Sequence, residues 1–288
     1  MITAKCPASC GELLQGWIYG SEKLISYPID CYTYVTITEG NKKQTKWSKA
    51  HEMVERVFEY FNYPKEASNL LSIEIESNIP IGKGMASSTA DLAATALATA
   101  EYLRKEISKE EIAKLCVEIE PTDSIVFPNI TLFDHLKGDY IKEYGDFPKC
   151  SVLVLEGKEI VDTISFRRVD RKEVLQKNEE LLKKAFTYFE NGIKNKDLNY
   201  IGQAAIISGI ANQKILYKDR LEDIVNLAKK LGAYGVNVAH SGSVIGILYD
   251  EAYFDKKAFK YEFKQRGFSP NYERLREHNI VKGGPRII

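Results

Sequence analysis

Apolar positions along the chain fall into short runs of two periods. TYVTITE (33–39) alternates β-branched residues with others, which predicts a strand with one buried face. Across 48–62, Met53, Val54, Val57, Phe58 and Phe61 recur at helical spacing and predict an amphipathic helix. LLSIEIES (70–77) sets Leu71, Ile73 and Ile75 on one side of a strand that Pro80 ends. From Ser87 to about Lys105 the chain is rich in alanine and leucine, which predicts a helix buried on most sides. Ser108 and Glu111 form a capping box for a further helix that Pro121 stops.

A second region begins near Pro148. CSVLVLE (150–156) predicts a central strand, followed by helices at 171–191, 197–213 and 219–231. Residues 235–250 predict two strands joined by a small-residue turn at Ser241–Ser243, and 255–266 a last helix. Strands and helices mixed without strict alternation give an α+β chain, with domains expected at 1–148 and 149–288.

Charge and cysteine content narrow the partners. Forty basic side chains balance forty acidic ones, so no net field favours nucleic acid or an anionic membrane, and the expected partner is a small molecule. No apolar run approaches the roughly 20 residues that cross a bilayer. The first residues lack the apolar centre of a signal peptide, and five scattered cysteines suit a reducing compartment, so a cytoplasmic protein is expected.

IPIGKGMASSTAD (79–91) places Gly82 and Gly84 between a strand and a helix. Free backbone N–H groups at the positive end of a helix dipole form an anion site, although a plain tight turn has the same glycine pattern. A Walker A loop fails because Gly84, not Ser or Thr, follows Lys83. A dinucleotide fingerprint fails because Ser87 stands where its third glycine belongs.

The pattern that fits, Pro-x-Gly-x-Gly-x-small-Ser-Ser-small, resembles motif 2 of the GHMP kinases, the superfamily of galactokinase, homoserine kinase and mevalonate kinase. KCPASCGELLQG (5–16) resembles their motif 1, and VAHSGSVIGIL (238–248), more loosely, motif 3. The resemblance implies a ribosomal protein S5 domain 2-like N-terminal domain and a ferredoxin-like C-terminal domain. It implies an ATP-binding loop of Pro80, Ile81, Gly82, Lys83, Gly84, Met85, Ala86, Ser87 and Ser88. It also implies Asp123 of IEPTDSIVFP as the base facing an acceptor hydroxyl, with Mg²⁺ held by Ser87 and Glu118, Glu120 being the second candidate. A capping aspartate and solvated helix carboxylates are the alternative readings of these acids. Many members carry a lysine in motif 1; here Ser9 follows Pro7 and Ala8, and Lys5 precedes them.

Within the superfamily, CPASCGELLQG, EPTDS and LFDHLKGD resemble the branch that phosphorylates L-threonine for the aminopropanol arm of cobalamin. That resemblance implies ATP and L-threonine as substrates, with Glu12, Gln15 and Ser241 as candidate substrate contacts. Homoserine as acceptor, and a non-catalytic ATP or metabolite sensor, are the alternatives. RNA binding through the S5-like half lacks a basic and aromatic stripe.

Overall fold

The computed structural model describes residues 1–40, 47–161, 166 and 169–288. Two long strands, β1 (Ile2–Ile18) and β2 (Ser21–Glu39), form a hairpin at its centre. Tyr19 and Gly20 both have positive φ, the backbone that a two-residue hairpin turn requires. The expected strand at 33–39 is the far end of β2, and motif 1 lies inside β1 rather than after a first strand. Register shifts between Pro7 and Ala8, Ser9 and Glu12, and Glu12 and Leu14 bulge this part of β1 out of regular pairing.

β3 (Leu71–Ser77) pairs with the far end of β2, and β4 (Ile130–Asp134) with its near end. With β5 (Asp139–Gly145), β6 (Ser151–Gly157), β7 (Gly235–Val238), β8 (Ile245–Tyr249) and β9 (Tyr272–Asn279), the sheet runs β5-β4-β2-β1-β7-β8-β6-β9. The short β10 (Arg286–Ile287) returns to pair with β1 at Ala4 and Lys5. We propose to keep the division at 148–149 as that of two domains, joined through the antiparallel contact of Glu12 with Val238.

The helices match the apolar periods. α1 (Ser48–Tyr60) buries Met53, Val54, Val57 and Phe58, and α3 (Lys109–Ile119) starts at the capping box of Ser108 and Glu111. α2 (Ser87–Tyr102) is buried on most sides because its alanines let it lie close against β1 and β2. The predicted helix at 171–191 is two: α4 (Lys172–Lys177) and α5 (Glu179–Asn195). They part at Asn178, whose buried side-chain amide donates to the Ala211 carbonyl at 2.9 Å. α6 (Leu198–Asn212) and α5 cover β1, so one core joins the two halves. A smaller core lies between α7 (Leu221–Lys230), α8 (Lys256–Gln265) and the β6–β9 strands. Among the described residues, no helix is long and apolar enough to cross a membrane. All five cysteines are buried free thiols.

Candidate active site

The glycine loop ends on a residue that strains to be there. Ala86, just before α2, has φ of 57°, a left-handed conformation unusual for a residue with a Cβ. It directs the start of α2 into a cleft, where that helix end carries no side-chain cap and no acidic residue in its first turn. Its first N–H groups and dipole therefore meet the cleft as an uncompensated positive end.

Three loops hold this arrangement. Ser9 of β1 donates its N–H to the Met85 carbonyl at 3.1 Å, while Ser243 and Val244 donate theirs to the Lys83 carbonyl at 2.9 and 3.1 Å. Gly84 and Gly242 touch backbone to backbone: a Cβ on Gly242 would stand 2.2 Å from the Gly84 nitrogen and the Lys83 oxygen. No other residue fits between these loops.

Beside the helix end, in the lining of the same cleft, stands Asp123, partly buried. Its backbone N–H donates to Thr89 Oγ1 at 3.0 Å, tying it to α2, and Ser9 Oγ donates to its carboxylate at 3.3 Å. Its other oxygen accepts from the Ile125 N–H at 3.1 Å, so Asp123 also caps the short 3₁₀ turn Ser124–Val126. Burial, opposed only in part by the Ser26 hydroxyl, the Ile125 amide and Ser9, pushes its carboxyl up to about 6. Ser9, which follows Pro7 and Ala8 in motif 1, thus contacts Asp123 directly. Lys5 instead lies over the Tyr32 ring, 5.1 Å from its centroid.

The cleft brings together Glu12, Gly82, Gly84, Met85, Ala86, Ser87, Ser88, Asp123 and Ser241 of the expected site. Pro80, Ile81, Lys83, Gln15 and Glu118 lie outside its lining. Ile81 points into solvent at 77% exposure. Lys83 turns away from the helix end: its buried ammonium donates to the carbonyls of Gly157, Lys158 and Glu159 and lies 3.4 Å from Glu273. It joins the loop to the other half rather than reaching a phosphate. Lys83→Met is expected to cost about 1–3 kcal/mol of stability and to leave KM for ATP unchanged, read by denaturant unfolding and steady-state kinetics.

Glu118, the first metal candidate, lies away from the cleft. Its carboxylate pairs with Arg56 at 2.6 Å on the outer face of α3, half exposed. Two positions on, past the helix end, the extended backbone of Glu120 turns that side chain into the cleft. There Glu120 accepts from the Ser88 hydroxyl and pairs with Lys49 at 2.7 Å. We expect Glu120→Gln to lower kcat by about 10²-fold or more, the loss typical of removing an electrostatic group, with Glu118→Gln near wild type. Parallel kinetics on the two variants check this.

Gln15 is committed internally. Its Nε2 donates to the Val238 carbonyl and its Oε1 faces His240 Nδ1, each at 3.0 Å. Glu12 accepts from the His240 backbone N–H at 2.6 Å, so this acid at the cleft wall also braces motif 3.

Glu22, His135 and His240 were not anticipated. Both imidazole Nε2 atoms approach Glu22 Oε1, at 3.3 Å from His135 and 3.0 Å from His240. Burial opposes ionisation of Glu22, yet hydrogen bonds with the two rings outweigh it and hold the carboxyl well below the usual range. The only sequence signal was the histidine within each of LFDHLKGD and VAHSGS.

An uncapped helix end, hydroxyl and carboxylate oxygens, and a partly buried acid beside them are the equipment of phosphoryl transfer to an alcohol. The chain belongs to the GHMP kinases: residues 48–127 match the GHMP kinases N terminal domain and 181–265 the GHMP kinases C terminal model. It is 39% identical over 287 residues to the L-threonine kinase of Citrobacter freundii, covering 100% of both chains. With the L-threonine kinase of Salmonella typhimurium it shares 38% identity, over 99% of this chain and 95% of the relative. The two-domain GHMP kinase fold recurs in the homoserine kinase of Cytophaga hutchinsonii, with a TM-score of 0.73 at 16% identity, over 100% of this chain and 97% of that one.

Proposed function

We propose that this chain transfers the γ-phosphoryl group of ATP to the side-chain hydroxyl of L-threonine, giving O-phospho-L-threonine. The observation that carries the reaction type is the meeting of the uncapped α2 N-terminus with Asp123 in one cleft. The acceptor follows from full-length identity to two L-threonine kinases.

In this reading, the backbone from Gly82 to Ser88 receives the triphosphate, and the helix dipole offsets its charge. Hard oxygen donors from Ser87 and Glu120 suit Mg²⁺, which when bound would neutralise charge on the phosphates. Asp123 orients the threonine hydroxyl and takes its proton as the oxygen–phosphorus bond forms and the bond to ADP breaks. Ser9 and the Ile125 amide fix the carboxylate's direction. Glu12 and Ser241 wall the acceptor side, while Gln15 acts from behind through His240. The expected role is supply of phosphothreonine to the cobalamin aminopropanol arm, in a reducing cytoplasm that suits five free thiols.

The test is ADP formation by the purified protein with ATP and Mg²⁺ against L-threonine, L-serine and L-homoserine, the product identified by mass. Threonine-dependent turnover to phosphothreonine is expected. Turnover with homoserine alone would retain the kinase and remove the threonine assignment. ATP binding without turnover on any of them would favour a sensor.

A further inference from the structure

Glu22, His135 and His240 converge from three separate parts of the chain: the start of β2, the β4–β5 turn and the β7–β8 turn. One ligand atom from each lies within 4.8 Å of the other two. Both rings are almost fully enclosed, at 1% and 5% exposure. From this cluster we propose a site for a borderline divalent transition ion of the Zn²⁺ class, bound by Glu22 Oε1 and the Nε2 atoms of His135 and His240, and separate from the Mg²⁺ proposed at Ser87 and Glu120.

Hydrogen bonding fixes the tautomer of His240. Gln15 donates its amide to the Val238 carbonyl, which leaves its Oε1 as the atom facing His240 Nδ1. Nδ1 must therefore carry the hydrogen. A neutral His240 then presents the lone pair of Nε2 to a carboxylate oxygen 3.0 Å away, two acceptors in contact. A cation between them resolves the conflict. That cation is a proton, making a buried imidazolium, or a metal. A ring nitrogen whose partner N–H is held by a fixed acceptor is the usual form of a metal-bound histidine.

Spacing points the same way. With bonds of about 2.0–2.2 Å, neighbouring ligands of a tetrahedral ion stand about 3.3 Å apart. The carboxylate oxygen lies 3.3 and 3.0 Å from the two nitrogens. The backbone is braced to match: the His240 N–H is held by Glu12, and the His135 carbonyl by the Thr122 N–H at 3.1 Å.

Three protein ligands leave a coordination position open, the pattern of sites that handle small molecules rather than purely structural ones. The two rings line the phosphoryl-transfer cleft, and Glu22 with His240 also line an adjoining cavity of about 810 Å³. The open position would take water or an oxygen or amine donor of a molecule held there.

The test is metal binding, without ATP or an acceptor, so its outcome is independent of the kinase assay. Chelator-stripped protein is titrated with Zn²⁺ by calorimetry and with Co²⁺ by visible absorption, and the zinc-loaded protein is studied by X-ray absorption. One equivalent of Zn²⁺, two imidazoles in its shell and no sulfur are expected. Folded Glu22→Gln and His135→Asn proteins should lose the site, and Gln15→Leu should weaken it about 10–100-fold. Failure of the wild type to take up one equivalent would overturn the proposal, as would sulfur ligation or unchanged affinity in the folded variants. The absorption spectrum needs no variant, so a misfolded mutant does not remove the test.

Discussion

Asp123→Asn is expected to lower kcat by about 10²–10⁴-fold, the usual contribution of a positioned general base, with KM for ATP little changed. The acid lines the cleft beside the helix end that would hold the phosphates but is not part of the glycine loop, so its loss should affect the acceptor hydroxyl and spare nucleotide binding. The pH profile gives the same residue a second signature. Because burial pushes its carboxyl up to about 6, the ionised form able to accept a proton fades as pH falls through that value. The wild-type kcat/KM should therefore rise with pH to a plateau above about 6. Stability should run the other way. An aspartate that titrates near 3.9 when unfolded binds its proton more tightly in the fold, a contribution complete below the unfolded value and lost as pH rises through about 6. Asparagine has no charge to bury, so the inactive variant should be the more stable protein above pH 6, by an amount on the order of 1–2 kcal/mol. Chemical denaturation of both proteins at pH 5 and pH 8 reads the effect, and a variant less stable at pH 8 would contradict it.

Gly242→Ala is expected to disrupt both the fold and the nucleotide loop. Its Cβ would stand 2.2 Å from the Gly84 nitrogen and the Lys83 oxygen, both backbone atoms. Neither can swing aside as a side chain would. The loops must separate, which loosens the hydrogen bonds from Ser243 and Val244 to the Lys83 carbonyl and shifts the loop that feeds α2. The expected cost is about 2–4 kcal/mol in stability, together with a large rise in KM for ATP. Thermal unfolding and ATP titration measure both. Gly267→Ala is the natural comparison, since no atom stands within 4 Å of its Cβ position, although its φ of 72° carries backbone strain of its own.

The parts of this fold legible from sequence are those where one residue has few alternatives. Gly82 and Gly84 adopt positive φ ahead of a helix, and Ser108 with Glu111 makes the capping box their spacing implies. α1 and β3 follow single apolar periods, so both appear within two residues of their expected ends. The β1–β2 hairpin was mostly hidden because bulges around Pro7–Leu14 break the alternation, and because Tyr19-Gly20 is not a common turn pair. β9 was hidden for the opposite reason: its YERLREHN is nearly all polar, as an edge strand can be, and is tied down by Arg276 pairing with buried Glu156 at 2.8 Å. Within the site, motif spacing pointed to Asp123 and Ser87. It could not separate Glu118 from Glu120, because which acid enters the cleft depends on where α3 stops. Lys83 looked like a phosphate ligand until its carbonyl partners across the sheet were visible. The Glu22, His135 and His240 cluster is set by tertiary structure alone.

In the bound enzyme the α2 N-terminus and Asp123 should converge on one reacting pair. A crystal structure with a non-hydrolysable ATP analogue, Mg²⁺ and L-threonine tests it most directly. The terminal phosphate is expected on the backbone between Gly82 and Ser88, and the threonine hydroxyl about 2.6–3.2 Å from the Asp123 carboxylate, within hydrogen-bond reach. A triphosphate bound away from that loop, or a hydroxyl directed away from Asp123 with the phosphate in place, would contradict it.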